Sequence, residues 1–256
     1  MFVALIKQLA VILEKMIVPI IILSLIFIGI SFLINQNNAK DLLSGYNSMS
    51  DVEKQNFDIA TYVPYFKKFN LFLGLSLFLI SIFILYFVNS DWSGIFMGTY
   101  PIFCYTYFIW KSNQFYLQKT KKQNIITSVL IIFMITILGL ILFEFNNTLN
   151  DNEIKIGNNK LEITGDYGCE IDLKNIESIT LENKIPEISS KTNGAALEIT
   201  KKGYFNTKEN QNVKLLINSN KKPIILITTK DKKKIFYSAK EKSNKEIYND
   251  IIKKIN

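Results

Sequence analysis

The sequence predicts a membrane α-helical bundle of four spans, followed by a β-rich domain that ends in a helix. Three observations carry this. Residues 16–33, 69–88, 94–110 and 125–143 are apolar runs without a charged side chain. The last of them, from Ile125 to Phe143, is nineteen residues long with only Thr127, Ser128 and Thr136 as polar members. That is long enough to cross a bilayer core, and a small soluble domain rarely buries such a helix on every side. Composition is split as well: residues 1–150 hold ten Lys and seven acidic residues, and residues 151–256 hold twenty and fifteen. Finally, the apolar period drops to two beyond Asn150, the period of a strand. The expected domains are therefore 1–150 and 151–256.

Composition excludes several functions. All thirty basic residues are Lys, so bidentate guanidinium recognition of phosphate or carboxylate is absent and nucleic acid is not an expected partner. Anionic lipid requires only point charges near a surface and remains open. There is no His, and the two cysteines, Cys104 and Cys169, lack C-x-x-C spacing, so neither a metal site nor a disulfide framework is expected. No phosphate-binding loop, nucleophile elbow, HExxH or EF-hand pattern occurs. No catalytic residue, cofactor or metal is assigned, and the chain reads as a non-enzyme.

The first span, Met16 to Leu33, carries Pro19 in its first turn, where the missing N–H costs least. No small-x-small cleavage site follows, so the segment reads as an uncleaved anchor. Upstream, Lys7, Gln8, Glu14 and Lys15 fall on one helical face, as in a short interfacial helix; a start at Met16 is the alternative. The second span, Phe69 to Val88, and the third, Gly94 to Trp110, are joined by Asn89 to Ser93 and must be antiparallel neighbours. Trp92 and Trp110 suit the two interfaces, and Gly94 with Gly98 forms a GxxxG pair that would admit a neighbouring helix. Tyr100, Tyr105 and Tyr107 read as aromatic packing near the interfaces. Lys40, Lys54, Lys67, Lys68, Lys111, Lys119, Lys121 and Lys122 flank one membrane face, against Lys7, Lys15, Lys155 and Lys160 on the other. The positive-inside rule then puts the first and third loops in the cytoplasm and the C-terminal domain outside.

In the first loop, Ser50-Asp-Val-Glu53 fits a capping box, predicting a helix from Asp51 to about Asp58, and Gly45 and Asn47 are turn residues. The stretch GYNSMSDVEKQNFD resembles the G-Y-N-x-M-S loop of a small bacterial membrane-protein family of unknown function, over about residues 17–110. The resemblance implies a multi-pass protein of the bacterial cell membrane and no activity. Tyr46 and Asn47 are the candidate interaction residues of this loop, whose pattern is also explained by simple capping of the bundle.

Asn146 to Asn150 reads as a polar tether. Ile154/Ile156 and Leu161/Ile163 alternate about Gly157-Asn158-Asn159 as a hairpin. Strands are expected near 169–172, 176–182, 196–205, 213–218, 224–229 and 234–238, with turns at 165–168, 193–194, 218–222 and 230–233. Ser243-Asn-Lys-Glu246 is a second capping box, opening a helix with Ile247, Tyr248, Ile251, Ile252 and Ile255 on one face. The segment YGCEIDLKNIESITLEN, with KTNGAA and KKGYF beyond, resembles the bacterial pleckstrin-homology-like domain. The resemblance implies a barrel over about residues 152–255, plugged by its C-terminal helix. It also implies an interaction module with an unidentified protein partner. Lys191, Asn193, Gly194, Lys201 and Lys202 are its candidate interaction residues. The hairpin at Gly157 to Asn159 is neutral, so inositol phosphates are not expected ligands. The paired lysines, Lys201/Lys202 and Lys221/Lys222 among them, read as solvated charge. Two function classes follow: a membrane-held interaction module, or a lipid- or envelope-stress component in which the helices and the loop act and the barrel regulates.

Overall fold

The structure is a computed structural model describing residues 2–35 and 37–255, with side chains described except at 2–15, 40 and 44. Its contacts divide it into two units, Met1–Leu142 and Phe143–Asn256.

The first unit is helical: α1 (Phe2–Leu33), α2 (Ala39–Leu42), α3 (Ser44–Asn47), α4 (Asp51–Gln55), α5 (Ile59–Phe87), α6 (Ser90–Ser112) and the greater part of α7 (Lys121–Leu149). Among the described residues, three helices are long and apolar enough to cross a membrane, over Met16–Leu33, Ile59–Phe87 and Lys121–Leu149. The expected third span forms α6, at 23 residues also long, but it carries more polar side chains. The side chains of the expected interfacial face, Lys7, Gln8, Glu14 and Lys15, lie outside those described, and the backbone there is continuous with the first span in α1. Helix α5 begins ten residues before the expected Phe69, because Asp58 caps it by accepting from Thr61 N–H at 3.0 Å. Lys67 and Lys68 interrupt the apolar run without breaking the helix. Helix α7 also begins early, at a reciprocal cap in which Thr120 N–H donates to Gln123 Oε1 and Gln123 N–H to Thr120 Oγ1.

Packing of α1 on α5 turns on Gly74. A Cβ there would lie 2.6 Å from Ile28 Cγ1 and 2.8 Å from Ser24 O, so the helices meet only because the side chain is absent. The expected GxxxG pair does not do this: Gly94 meets only Met16 Cε at 3.5 Å, and Gly98 faces open space among the described residues. Helices α5 and α6 form the expected antiparallel hairpin, held by three polar contacts along their length. Tyr105 Oη donates to Asn70 Oδ1 at 2.7 Å, Ser76 Oγ and Tyr100 Oη lie 2.8 Å apart, and Ser93 Oγ donates to Ser81 O at 2.9 Å. Two of the tyrosines read as interfacial packing are thus interhelical ties.

The first and third loops are zipped together at one end of the helices. Phe57 and Tyr116 form a bridge, Asp58 N–H donates to Phe115 O at 2.8 Å, and Leu117 N–H to Asn56 O at 2.9 Å. The Asn56 side chain exchanges two further hydrogen bonds with the Gln118 backbone, at 2.6 and 2.7 Å. The Ser50 to Glu53 capping box is present, although its helix is the five-residue α4 rather than one reaching Asp58.

The second unit opens with the end of α7. The expected tether at Asn146 to Asn150 is instead helical as far as Leu149. Strands β1 (Ile154–Ile156), β2 (Lys160–Ile163) and β3 (Cys169–Asp172) form a three-stranded antiparallel sheet. The expected turns hold: Gly157 N–H donates to Lys160 O at 2.9 Å, and Gly165 at φ +80 starts the turn into β3. A six-stranded sheet contains β4 (Ile176–Glu182), β5 (Ile188–Ala196), β6 (Lys201–Thr207), β7 (Asn212–Ile217), β8 (Ile224–Thr229) and β9 (Lys234–Ser238), in the order β4-β8-β9-β7-β6-β5.

Three expectations fail here. The single strand expected at 196–205 is divided, since β5 ends at Ala196 and β6 begins at Lys201 after a turn in which Leu197 N–H donates to Thr200 O at 2.8 Å. Asn193-Gly194 is not a turn but the middle of β5, a strand whose polar, mostly exposed sequence hides it; its pairing with β6 defines it. A closed barrel is also not formed among the described residues, which make two sheets, with β7 and β9 parallel.

Both faces of the larger sheet are covered. Leu216, Ile225, Ile227, Ile235 and Tyr237 face Leu161, Ile163 and Ile171 of the small sheet. Phe205, Val213, Leu215, Ile217 and Phe236 form a second core with Ile185 and Ile188. Helix α8 (Asn244–Ile255) packs Ile247, Tyr248, Ile251 and Ile255 into the first core and contacts β1, β4 and β8, so it spans both sheets.

Candidate functional site

Lys202 is the residue least like its sequence expectation. Read as solvated charge, it is 0% exposed, and its Nζ donates to Asn150 O. The register explains the position. On the face toward the small sheet, Lys202 of β6 pairs with Leu216 of β7, which pairs with Tyr237 of β9. Lys202 and Tyr237 both reach the segment that leaves α7, where Tyr237 Oη donates to Asn152 O at 2.6 Å. Asn152 Nδ2 in turn donates to Thr164 O and Asp166 O, at 2.6 and 2.9 Å. Lys240 completes the arrangement, its N–H donating to Asp151 Oδ2 at 3.0 Å and its Nζ to Leu149 O at 3.3 Å. Two ammonium groups thus sit on the last carbonyls of α7, where the helix dipole is negative. Burial pulls the Lys202 ammonium down to about 8, against the opposing pull of Asp166 and Asp151. Burial also pushes the Tyr237 phenol upward.

The remaining predicted residues of this unit do not converge. Lys191 is exposed on β5. Asn193 Oδ1 accepts from Tyr167 Oη at 3.4 Å. Gly194, at φ +150, lies opposite Gly203, and a Cβ on Gly194 would come within 2.1 Å of Lys202 O. Gly194 therefore permits close strand approach beside a bulge. Lys201 Nζ donates to Glu198 O.

The concave surface of this unit lies elsewhere, in a groove of about 970 Å³ between the sheets. Its floor is Lys214, buried on β7, whose Nζ donates to Gly168 O at 3.2 Å and stands 5.1 Å from the centre of the Tyr204 ring. Its rim carries exposed ion pairs, Lys160 with Glu170 at 2.8 Å and Lys233 with Asp231 at 2.7 Å. The hydrogen bond from Lys160 holds the Glu170 carboxyl below the usual range, and those from Lys233 and Thr229 do the same for Asp231. Lys234 Nζ donates to Gln211 Oε1 at 3.0 Å. A polar rim around a buried cation and an aromatic ring suits a polar or peptide ligand. Sequence patterning missed this groove because it joins β3, β6, β7 and β9 across non-local pairings. Among the described residues no group of three His, Cys, Asp or Glu side chains could hold a metal ion.

The loop residues Tyr46 and Asn47 separate. Asn47 is exposed at the end of α3, whereas Tyr46 packs 5.9 Å from Phe57 and lines a cavity of about 840 Å³ within the helical unit. Its apolar wall includes Ile34, Tyr62, Phe66 and Phe108; Glu53 and Lys122 also line it. Comparison with known proteins finds a likeness over this part of the chain. Residues 21–116 match a family model described as a domain of unknown function, DUF3784. The DUF3784 match takes in Tyr46, α5 and α6, and so most of the cavity's walls. No curated protein and no solved structure matches the chain.

Proposed function

We propose that this chain is a non-enzymatic integral membrane protein that crosses a bacterial cell membrane four times. It presents a β-rich interaction module of the pleckstrin-homology-like class on the outer face. The observation that supports this is the seating of Lys202, Lys240 and Tyr237 on residues 149–152, which ties the strands to the segment that follows the apolar run in sequence. Four crossings rather than three are supported by the zipped loops: α5 leaves that end and α6 returns to it. At 23 residues α6 is about 34 Å long, enough for the roughly 30 Å hydrocarbon core. The lysine count favours the cytoplasm for the zipped loops. The pleckstrin-homology-like class is supported by the strand sequences and by α8 closing on both sheets, while the parallel pair β7 and β9 departs from a simple barrel.

The groove at Lys214 is the module's interaction site in this reading, and its partner is a protein segment. A photo-reactive side chain placed at Lys230 or Asn212 of the full chain, in cells that make it, is expected to give a discrete light-dependent protein adduct. The same group at Lys208, outside the groove, should not. Adducts from Tyr46 and none from the groove would favour the second reading, in which the helical unit acts and the β-rich unit regulates. The cavity beside Tyr46 is the observation that keeps that reading.

A further inference from the structure

The cavity beside Tyr46 is sorted by polarity along the helices that build it. On α6 its lining passes from Asn113, just beyond the helix end, through Ile109 to Tyr105. On α7 it passes from Lys122 through Ile126 to Leu130. Each series spans eight residue-to-residue steps, about 12 Å at 1.5 Å per step. The polar ends lie together, since Asn113 Nδ2 donates to Asn124 Oδ1 at 3.0 Å, joining the end of α6 to the start of α7. Because α7 is a candidate membrane span and α6 runs antiparallel to α5, another, the apolar end of the cavity points to the depth of the hydrocarbon. Its polar end lies beside the zipped loops.

The polar end offers specific chemistry. Asn113 Oδ1 is buried with no hydrogen-bond partner among the described residues, so it is an acceptor waiting for a donor. Glu53 Oε2 is occupied by Ser50 N–H and Oγ at 2.9 and 3.0 Å, while Oε1 has only the loose contact with Lys122 Nζ at 3.7 Å. The bonds from Ser50 hold the Glu53 carboxyl below the usual range, so it is ionised. Two acceptors and one ammonium therefore stand at the mouth of an apolar cavity of about 840 Å³, within the 300–1,000 Å³ usual for a ligand site.

We propose that this cavity seats a membrane phospholipid with a zwitterionic, primary-ammonium head group, of the phosphatidylethanolamine class. The ammonium donates to Asn113 Oδ1 and Glu53 Oε1, the phosphate faces Lys122, and one acyl chain lies between α6 and α7 as far as Tyr105 and Leu130. The complementarity is with the head group's own charges: phosphatidylglycerol offers only neutral hydroxyl donors and brings a net negative charge beside Glu53, and a quaternary ammonium has no N–H to give. The assignment rests on the reading of α5 and α7 as membrane spans.

The test uses the full chain reconstituted into nanodiscs of phosphatidylethanolamine, phosphatidylcholine and phosphatidylglycerol in equal parts, then released from them for native mass spectrometry of retained lipid. One phosphatidylethanolamine is expected to remain, at least tenfold enriched over each competitor. Ile126→Trp fills the cavity from a position that is 48% exposed and tolerates bulk, and should abolish retention. Leu79→Trp, at 64% exposure on α5 and outside the cavity, should not. Glu53→Gln should reduce the enrichment over phosphatidylcholine. Equal retention of the three lipids, or retention unaffected by Ile126→Trp in a variant that still melts like the parent, overturns the proposal. Failure of the chain to float with vesicles would overturn the membrane reading beneath it as well, so the two failures are distinguishable.

Discussion

Lys202 of β6 donates its buried ammonium to the carbonyl of Asn150, the residue after the end of α7. A charge that is 0% exposed has lost its hydration, and the helix-end carbonyl together with Asp166 and Asp151 returns only part of it.

Stability of the β-rich unit should therefore depend on pH in an uncommon direction. Lys202 titrates near 8 in the folded chain against an ordinary value of 10.5, so between these values the unfolded state binds more protons and stability rises with pH. The rise is at most about 1.4 kcal/mol per pH unit. Tyr237, whose pKa is raised, acts oppositely once pH passes the ordinary phenol value of 10, so the gain is confined to about pH 8 to 10. Pulse proteolysis of the full chain in urea should show it, and Lys202→Met should remove it.

Gly74→Val should loosen the helical unit. Its side chain would collide with the Ser24 carbonyl and Ile28, and such overpacking costs about 1–3 kcal/mol. The same change at Gly98, which faces open space among the described residues, should be nearly neutral, and thermal melting in detergent separates the two.

Asn56→Ala removes both side-chain bonds to Gln118, each worth about 0.5–1.5 kcal/mol net. Hydrogen exchange of residues 113–118 should quicken markedly, whereas amides in the middle of α5 should be unaffected.

What sequence reveals and what it conceals follows from the range of the interactions. Three of the four apolar runs, the hairpin at Gly157 and the face of α8 depend on neighbouring residues, and these are present in the fold. The cap at Thr120 and Gln123 is local as well, but it lies among polar residues outside the uncharged run that begins at Ile125. Strand β5 was concealed because its polar residues are stabilised by pairing with β6 rather than by their own burial. The burial of Lys202 follows from register: β6 lies beside β7, which runs parallel to β9, a pairing between segments far apart in the chain. Of the loop pair, Tyr46 lines the cavity and Asn47 does not, because α3 turns only one of the two inward.

Cysteine accessibility in intact cells tests the four-crossing account most directly. On a background lacking Cys104 and Cys169, the variants Gln55→Cys and Ser243→Cys place one exposed thiol in the first loop and one before α8. The account predicts that an impermeant maleimide labels the Ser243→Cys chain before lysis and the Gln55→Cys chain only after it. Labelling of both on the same side of the membrane would contradict it.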